Sequence, residues 1–340
     1  MSQQTARAIV LASRPTTGPA DESHFRLETI KLPELGPDSL LLKVKYLSLD
    51  PYMRGRMSAR KSYAPSVEVG EKMVGEVVAE VVRTNSAQFK EGDLVQSRVG
   101  WCDFAVANAS EVRKIQVDDI PVTTRLGVLG MPGFTAWSGL HLIGRPKAGE
   151  TVVVSAASGP VGSLVGQLAK LAGARAVGIA GGPEKCRYLV EELGFDAAVD
   201  HRSADAAKLL ATACPDGIDV YFENVGGQVW QMVLPLLNTY ARIPVCGLVS
   251  YFSEDFDRSK DFLSSTMMDV LSKSLTLRGF INYEFEKEHF STFYGSVSQN
   301  LRDNKILYKE DITEGLENAP QAFLGMLKGE NFGKVLVKVS

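Results

Sequence analysis

Residues 151–170 read TVVVSAASGPVGSLVGQLAK, and three features in succession decide the fold. The opening TVVVS is a short β-branched run, the composition of a strand buried on both faces. Ala157, Gly159 and Gly162 then take the spacing of G-x-G-x-x-G. In that pattern the first position turns tightly and the second lets backbone approach a pyrophosphate. The third lets the helix pack close on the strand. Alanine serves at the first position as long as its φ stays negative. Ser158, Pro160 and Val161 complete the turn, and Val161, Leu164, Val165 and Leu168 recur at i, i+3, i+4 and i+7, one face of a helix. The N-terminus of that helix offers unpaired N–H groups and the positive end of a dipole to an anion. Strand, turn and helix together predict a dinucleotide-binding unit.

Working outward, six strand candidates run in order: TVVVS (151–155), RAVGIA (175–180), DAAVD (196–200), DVYFEN (219–224), ARIPVCG (241–247) and LTLRGF (275–280). Helical patterns such as PEKCRYLVEELG and GQVWQMVLPLLN separate most of them. This alternation predicts an α/β domain with a doubly wound, six-stranded parallel sheet of the Rossmann type. The first third of the chain differs. LLLKVKYLSLD, GEVVAEVV and GDLVQSRVGWCDFAVA are valine-rich runs closely broken by turn residues, the pattern of a β-barrel or sandwich. The terminal GKVLVKV is strand-like and is expected to return to that first domain. The expected division is 1–126 with 305–340, and 127–304.

The second strand of the unit selects the cofactor. An NAD site wants Asp or Glu at its end to hold the ribose hydroxyls, but this chain has Gly181 and Gly182 there. Lys185 follows in the first turn of the next helix, where the dipole disfavours a cation. A bound 2′-phosphate explains that placement and favours NADP(H); a solvated surface lysine is the plainer alternative.

The 340 residues are 45% apolar and 23% charged with net charge −3, ordinary values for a soluble protein of about two domains. With no long basic run, nucleic acid is not an expected partner. No apolar run reaches the length of a signal or transmembrane segment, so a cytoplasmic protein without a membrane partner is expected. Cys102, Cys186, Cys214 and Cys246 are scattered and read as reduced thiols. His24, His141, His201 and His289 lie far apart and no cysteine precedes residue 102, so no metal site is expected.

Further motifs follow in order: LSLDPYMRGRM (47–57), GMPGFTAW (130–137), AASGPVG (156–162), ENVGG (223–227), IPVCGLVS (243–250) and GENFGK (329–334). In these the chain resembles, nearly end to end, the zinc-free medium-chain dehydrogenases/reductases. Within them it is most similar to the leukotriene B4 dehydrogenase/prostaglandin reductase and plant double-bond reductase group, and there to the bacterial NADPH-dependent curcumin reductases. LSLDPYMR is specific to that group, whereas the glycine turn belongs to the whole superfamily.

The resemblance implies a GroES-like catalytic domain, a Rossmann domain, a cleft between them and a homodimer. It implies NADPH-dependent reduction of the C=C bond of an α,β-unsaturated ketone or aldehyde. Lys185 matches a lysine on the 2′-phosphate, Asn224 and Asn331 match asparagines that touch the cofactor, and Tyr52 matches a tyrosine near the substrate. Met131 is expected near the nicotinamide, and Phe280 at a strand end facing the same cleft. Thr135, Gly181, Cys246 and Gly247 complete the expected cofactor set. Two places depart from relatives. His201 stands where eukaryotic members carry a tyrosine, with Arg202 beside it. The order Tyr251-Phe252-Ser253 shifts the usual substrate-side tyrosine by one.

The implied chemistry is hydride transfer to the β-carbon, with hydrogen-bond donors meeting charge on the carbonyl oxygen. The candidate donors are Tyr52, Tyr251 and a ribose hydroxyl. The α-carbon takes its proton from a tyrosine or water. Packed structural tyrosines remain the alternative at both positions. Among rival activities a quinone oxidoreductase on the same fold comes first, and DPYMR argues against it. A zinc-free carbonyl or alcohol dehydrogenase and a non-catalytic NADPH-binding protein follow.

Overall fold

The computed structural model describes residues 4–15, 18–116, 118–252 and 262–340. The chain forms two compact units: Met1–Gly127 with Glu310–Ser340, and Val128–Phe252 with the segment that ends at Lys309.

The first unit opens with β1 (Thr5–Leu11) and β2 (Phe25–Lys31), an antiparallel pair in which Ile9 faces Leu27. The ten-residue β3 (Ser39–Ser48) is the spine of a larger sheet. A single turn, α1 (Tyr52–Arg56), follows Pro51. Then come β4 (Val77–Thr84), β5 (Leu94–Ser97), β6 (Phe104–Asn108) and the two-residue β7 (Arg113–Lys114). β3 pairs antiparallel with both β4 and β6. Inside, Trp101 stacks on Phe25 at 5.7 Å between ring centroids. Phe323, from the C-terminal return, meets the edge of that stack at 5.6 Å. Removing any one of these buried rings would cost about 3–5 kcal/mol.

The second unit begins with α2 (Met131–Ser138), which passes into a π turn over Gly139–Gly144. Strands and helices then alternate: β8 (Thr151–Ser155), α3 (Pro160–Leu171), β9 (Arg175–Ala180), α4 (Pro183–Glu191), β10 (Ala197–Asp200), α5 (Ala206–Ala213), β11 (Ile218–Phe222), α6 (Gly227–Val233) and β12 (Leu237–Val245). Further along the chain come α7 (Leu263–Ser272), β13 (Thr276–Gly279) and the long α8 (Tyr283–Arg302). All six strands are parallel, in the order β10-β9-β8-β11-β12-β13. Every residue of β8 is buried, as its unbroken β-branched composition requires for a strand covered on both faces. The order reverses between β8 and β11, and the carboxyl ends of those two strands form the crevice where this architecture binds nucleotides.

The return to the first unit starts at Glu310, later than residue 305. The reason is a two-way amide clamp: Gln167 Nε2 donates to the Leu307 carbonyl at 2.9 Å, and the Leu307 N–H donates to Gln167 Oε1 at 2.7 Å. That clamp holds the preceding segment on α3. The chain then adds β14 (Glu310–Glu314), α9 (Ala319–Leu327) and β15 (Lys334–Lys338) to the first unit. β15 runs parallel to β14 and antiparallel to β3. Among the described residues no helix is long and apolar enough to cross a membrane.

Candidate active site

The turn after β8 is built for close approach. Ala156 takes the left-handed conformation at φ 49°, a strained choice for a residue with a Cβ and one position earlier than the tight turn the sequence placed at Ala157. Ala157 keeps a negative φ and its N–H donates to the Ile179 carbonyl at 3.0 Å. A Cβ on Gly162 would lie 2.5 Å from the Ala156 carbonyl oxygen, so only glycine lets α3 pack here. Gly159 caps α3 without a side-chain hydrogen bond, and Pro160 takes the first turn, where its missing N–H costs nothing. With Ser158 and Val161, this turn leaves first-turn N–H groups without a side-chain cap, the arrangement that receives a phosphate.

At the end of β9, a Cβ on Gly181 would lie 3.0 Å from both Arg202 Nε and His201 Nε2. Glycine there lets two side chains from the end of β10 lie over the backbone. The neighbouring Asp200 is committed to that backbone: the Gly182 and Arg202 N–H groups each donate to its Oδ1 at 2.9 Å. These bonds, the Gly182 one foremost, hold the Asp200 carboxyl below its ordinary value. Partial burial, then the Arg202 cation, holds the His201 imidazole below its ordinary value, and Lys185 adds to that effect. Lys185, His201 and Arg202 thus share one electrostatic neighbourhood around Gly181. His201 enters it as a neutral ring near pH 7, and the cations are Lys185 and Arg202.

The carboxyl ends of β8, β11 and β12 gather the other predicted residues of this unit. Asn224 donates through its backbone N–H to the Ser155 hydroxyl (2.9 Å) and through Nδ2 to the Ser155 carbonyl (2.8 Å). The Cys246 and Gly247 N–H groups donate to the Glu223 carbonyl at 2.9 and 3.1 Å. Burial, with the Glu223 carboxyl beside it, pushes the Cys246 thiol up to about 12, so it stays an unreactive thiol. The Tyr251 hydroxyl accepts from the Gly227 N–H at 2.9 Å. Its neighbour Ser253 lies outside the described residues.

Two predicted cofactor residues sit on α2, where Thr135 Oγ1 donates back to the Met131 carbonyl at 2.8 Å. The Phe280 ring is buried edge-on against Phe222 at 6.2 Å, so its packing is that of a core residue.

Tyr52 and Asn331 belong to the first unit. Burial, and then the carboxyls of Asp50 and Glu76, raise the Tyr52 phenol above its ordinary value. It therefore remains a neutral hydrogen-bond donor across the physiological range. The Arg56 guanidinium lies over its ring at 5.5 Å from the centroid. Asn331 Nδ2 donates to the Gly333 carbonyl at 2.8 Å.

Comparison with known proteins places this arrangement. Residues 7–115 match the family model described as N-terminal domain of oxidoreductase, and residues 160–299 the one described as zinc-binding dehydrogenase. The NADPH-dependent curcumin reductase of Escherichia coli (strain K12) is 50% identical, over 99% of this chain and 98% of that protein. The chain belongs to the double-bond reductase group of the medium-chain dehydrogenases/reductases. The NADP(+)-dependent 2-alkenal reductase of Nicotiana tabacum, 37% identical over 100% of this chain and 99% of its own, is a further relative. The structure of CurA from Vibrio vulnificus in complex with NADPH superposes with a TM-score of 0.94 at 47% identity, covering 98% of this chain and 99% of that one.

For a member of this group the sequence reading passed over several residues. Among the described residues no three His, Cys, Asp or Glu side chains gather as a metal site would need. Glu223, Ser155, Asp50 and Lys334 all carry buried polar contacts at or beside the predicted positions. For Glu223 a signal existed: an acidic residue directly follows the buried run Val220-Tyr221-Phe222, where a strand should still be apolar.

Proposed function

We propose that this chain reduces the C=C bond of α,β-unsaturated ketones and aldehydes with NADPH. The observation that carries the cofactor half is the approach of Arg202 and His201 to Gly181, with Lys185 in the same field and Asp200 committed to backbone. An acidic residue free to take ribose hydroxyls is what NAD would need there; a cationic pocket over glycine suits a 2′-phosphate. The uncapped turn of α3 suits the pyrophosphate. The acceptor half is supported by full-length similarity to proteins named for curcumin and 2-alkenal reduction.

When bound, NADPH supplies a hydride to the β-carbon, and the displaced electron pair moves onto the carbonyl oxygen. The chain's part is to stabilise that oxyanion and deliver a proton to the α-carbon. Tyr52, kept protonated by burial and by Asp50, is suited to donate a hydrogen bond to such an oxygen. Tyr251, whose oxygen already accepts from Gly227, is suited to hold its turn in place. Lys185 and Arg202 bind the 2′-phosphate. Asn224, Cys246, Gly247, Met131, Thr135 and Asn331 complete the proposed cofactor set.

We assign the working form as a homodimer of two copies. The edge strand β13 is exposed along its length, and α7, which precedes it in the chain, presents Leu263, Met267, Met268 and Leu271 to solvent. A second copy of the same edge is the partner that a two-fold axis would supply. The described cysteines are free thiols, which suits a reducing, cytoplasmic compartment.

The test follows nicotinamide absorbance with the purified protein, pairing NADPH and NADH with an enone, a 2-alkenal, a quinone and a saturated ketone. Oxidation of NADPH by enone and alkenal, giving a product saturated at C=C, is the expected result. Turnover of the quinone alone would reassign the protein to quinone reduction.

A further inference from the structure

Glu223 stands immediately after β11, at the point where the strand order reverses toward β8. Its residue surface is only 2% exposed. One carboxyl oxygen, Oε1, accepts four hydrogen bonds: from the Val225 N–H at 2.7 Å, the Gly226 N–H at 2.9 Å, the Tyr221 hydroxyl at 2.9 Å and the Ser155 hydroxyl at 3.2 Å. The other oxygen, Oε2, is buried and has no hydrogen-bond partner among the described residues.

The main chain of the same residue is equally engaged. Its N–H donates to the Pro244 carbonyl at 3.0 Å, and its carbonyl receives the Cys246 and Gly247 N–H groups. The two arcs that leave this point are laced together further on. Val249 N–H donates to the Asn224 carbonyl at 3.2 Å, Ser250 N–H to the Val225 carbonyl at 3.1 Å, and Gly227 N–H to the Tyr251 hydroxyl. One residue therefore sets the spacing of three strand ends and of two arcs, 224–227 and 246–251.

Burying a carboxyl is costly, and leaving one of its oxygens unpaired adds to that cost. Replacing it alone with an apolar side chain would strand four donors. What an apolar side chain cannot do is accept from four convergent donors and so fix the turn they belong to.

We propose that Glu223 is the positioning residue for the nicotinamide half of the site, acting through Asn224 and Tyr251. The role rests on the NADPH reading above. In this strand order the β8–β9–β10 half takes the adenosine end, and the β11–β12–β13 half takes the nicotinamide. Glu223 organises only the second half. Its loss should be felt by a ligand that fills both halves and not by one that fills the first alone.

The experiment measures dissociation constants of NADPH and of 2′,5′-ADP, which lacks the nicotinamide, for the full chain and for E223A, E223Q and S155A. In E223A the NADPH constant should rise about tenfold or more while that of 2′,5′-ADP stays within about twofold. E223Q keeps an oxygen that accepts the same four donors, so its NADPH constant should stay within about threefold of the parent. S155A, which removes the hydroxyl bridging Glu223 and Asn224, should weaken NADPH by a few-fold and spare 2′,5′-ADP; it carries the test if E223A does not fold. Equal weakening of both ligands in E223A or S155A would reveal a general strut and overturn the proposal. So would unchanged NADPH binding, or loss in E223Q as large as in E223A. Failure of the parent protein to bind 2′,5′-ADP would instead overturn the NADPH reading, and this inference with it.

Discussion

Lys334 donates to Asp50 Oδ1 at 2.9 Å, and their side chains are only 3% and 5% exposed. The ammonium also donates to the Leu49 carbonyl at 2.5 Å, and the Ser48 hydroxyl donates to the other Asp50 oxygen. This pair joins the start of β15, three residues after Asn331, to the turn that carries Tyr52. Its partners stand 284 positions apart in the chain.

Breaking such a pair strands an uncompensated charge, so K334A should destabilise the protein by about 3–5 kcal/mol. The cost should be aggravated by Glu310, a second carboxyl in the field of Lys334. The double variant D50N/K334M removes both charges and should lose clearly less than the sum of D50N and K334M alone. Urea midpoints of the four proteins decide it. Strict additivity would mean that the two side chains do not act as a pair.

The proposed 2′-phosphate pocket gives a prediction with a sign. K185A and R202A should each raise the NADPH KM about tenfold and leave the NADH KM within about twofold, because only one of the two cofactors carries the phosphate. His201 should add a pH dependence. Its imidazole is held below its ordinary value in the free chain, by burial and by Arg202. A bound phosphate dianion would raise it. Extra affinity from a protonated His201 is then fully present below the free-chain value and is lost as pH rises through the bound value. The ratio of NADPH affinity between the parent and H201N should therefore grow as pH falls. A flat ratio between about pH 5 and 8 would remove His201 from the phosphate pocket.

How much of this was legible beforehand depended on the range of the interaction. The β8–turn–α3 unit could be read because each of its determinants is local: a β-branched run, the spacing of Gly159 and Gly162, and a helical apolar period. Lys185 stands out in the sequence because a cation in a first helical turn conflicts with the dipole of its own helix, and its role on a 2′-phosphate is part of the proposal. The approach of Arg202 to Gly181 depends on the parallel register that sets Asp200 beside Ala180, a pairing no local pattern encodes. The hub at Glu223 has the same character. Its four donors come from β8, from β11 and from its own following turn, and they converge only once the sheet has formed. The left-handed Ala156 was displaced by one residue for a related reason: the spacing fixes where the helix must pack, and the packing chooses which residue bends.

The last prediction concerns the edge of the parallel sheet. β13 pairs on one side with β12 and is exposed at all four of its positions. A strand left this way presents a row of backbone donors and acceptors to any second strand. On α7, Leu263, Met267 and Leu271 recur every fourth position, so they form one stripe, and Leu271 is 78% exposed. Such a stripe on a monomer would expose apolar surface with no compensating contact. Pairing two copies about a two-fold axis would cover edge and stripe together. The double variant M268E/L271E places charge on that face of a solvent-exposed helix, where folding of the chain itself does not require the apolar side chains. Light scattering after size exclusion should show the parent protein at twice the chain mass and the variant at the chain mass, with 2′,5′-ADP binding retained. A parent that runs as a monomer at micromolar concentration, or a variant that remains a dimer, would show that the two copies do not meet through this face.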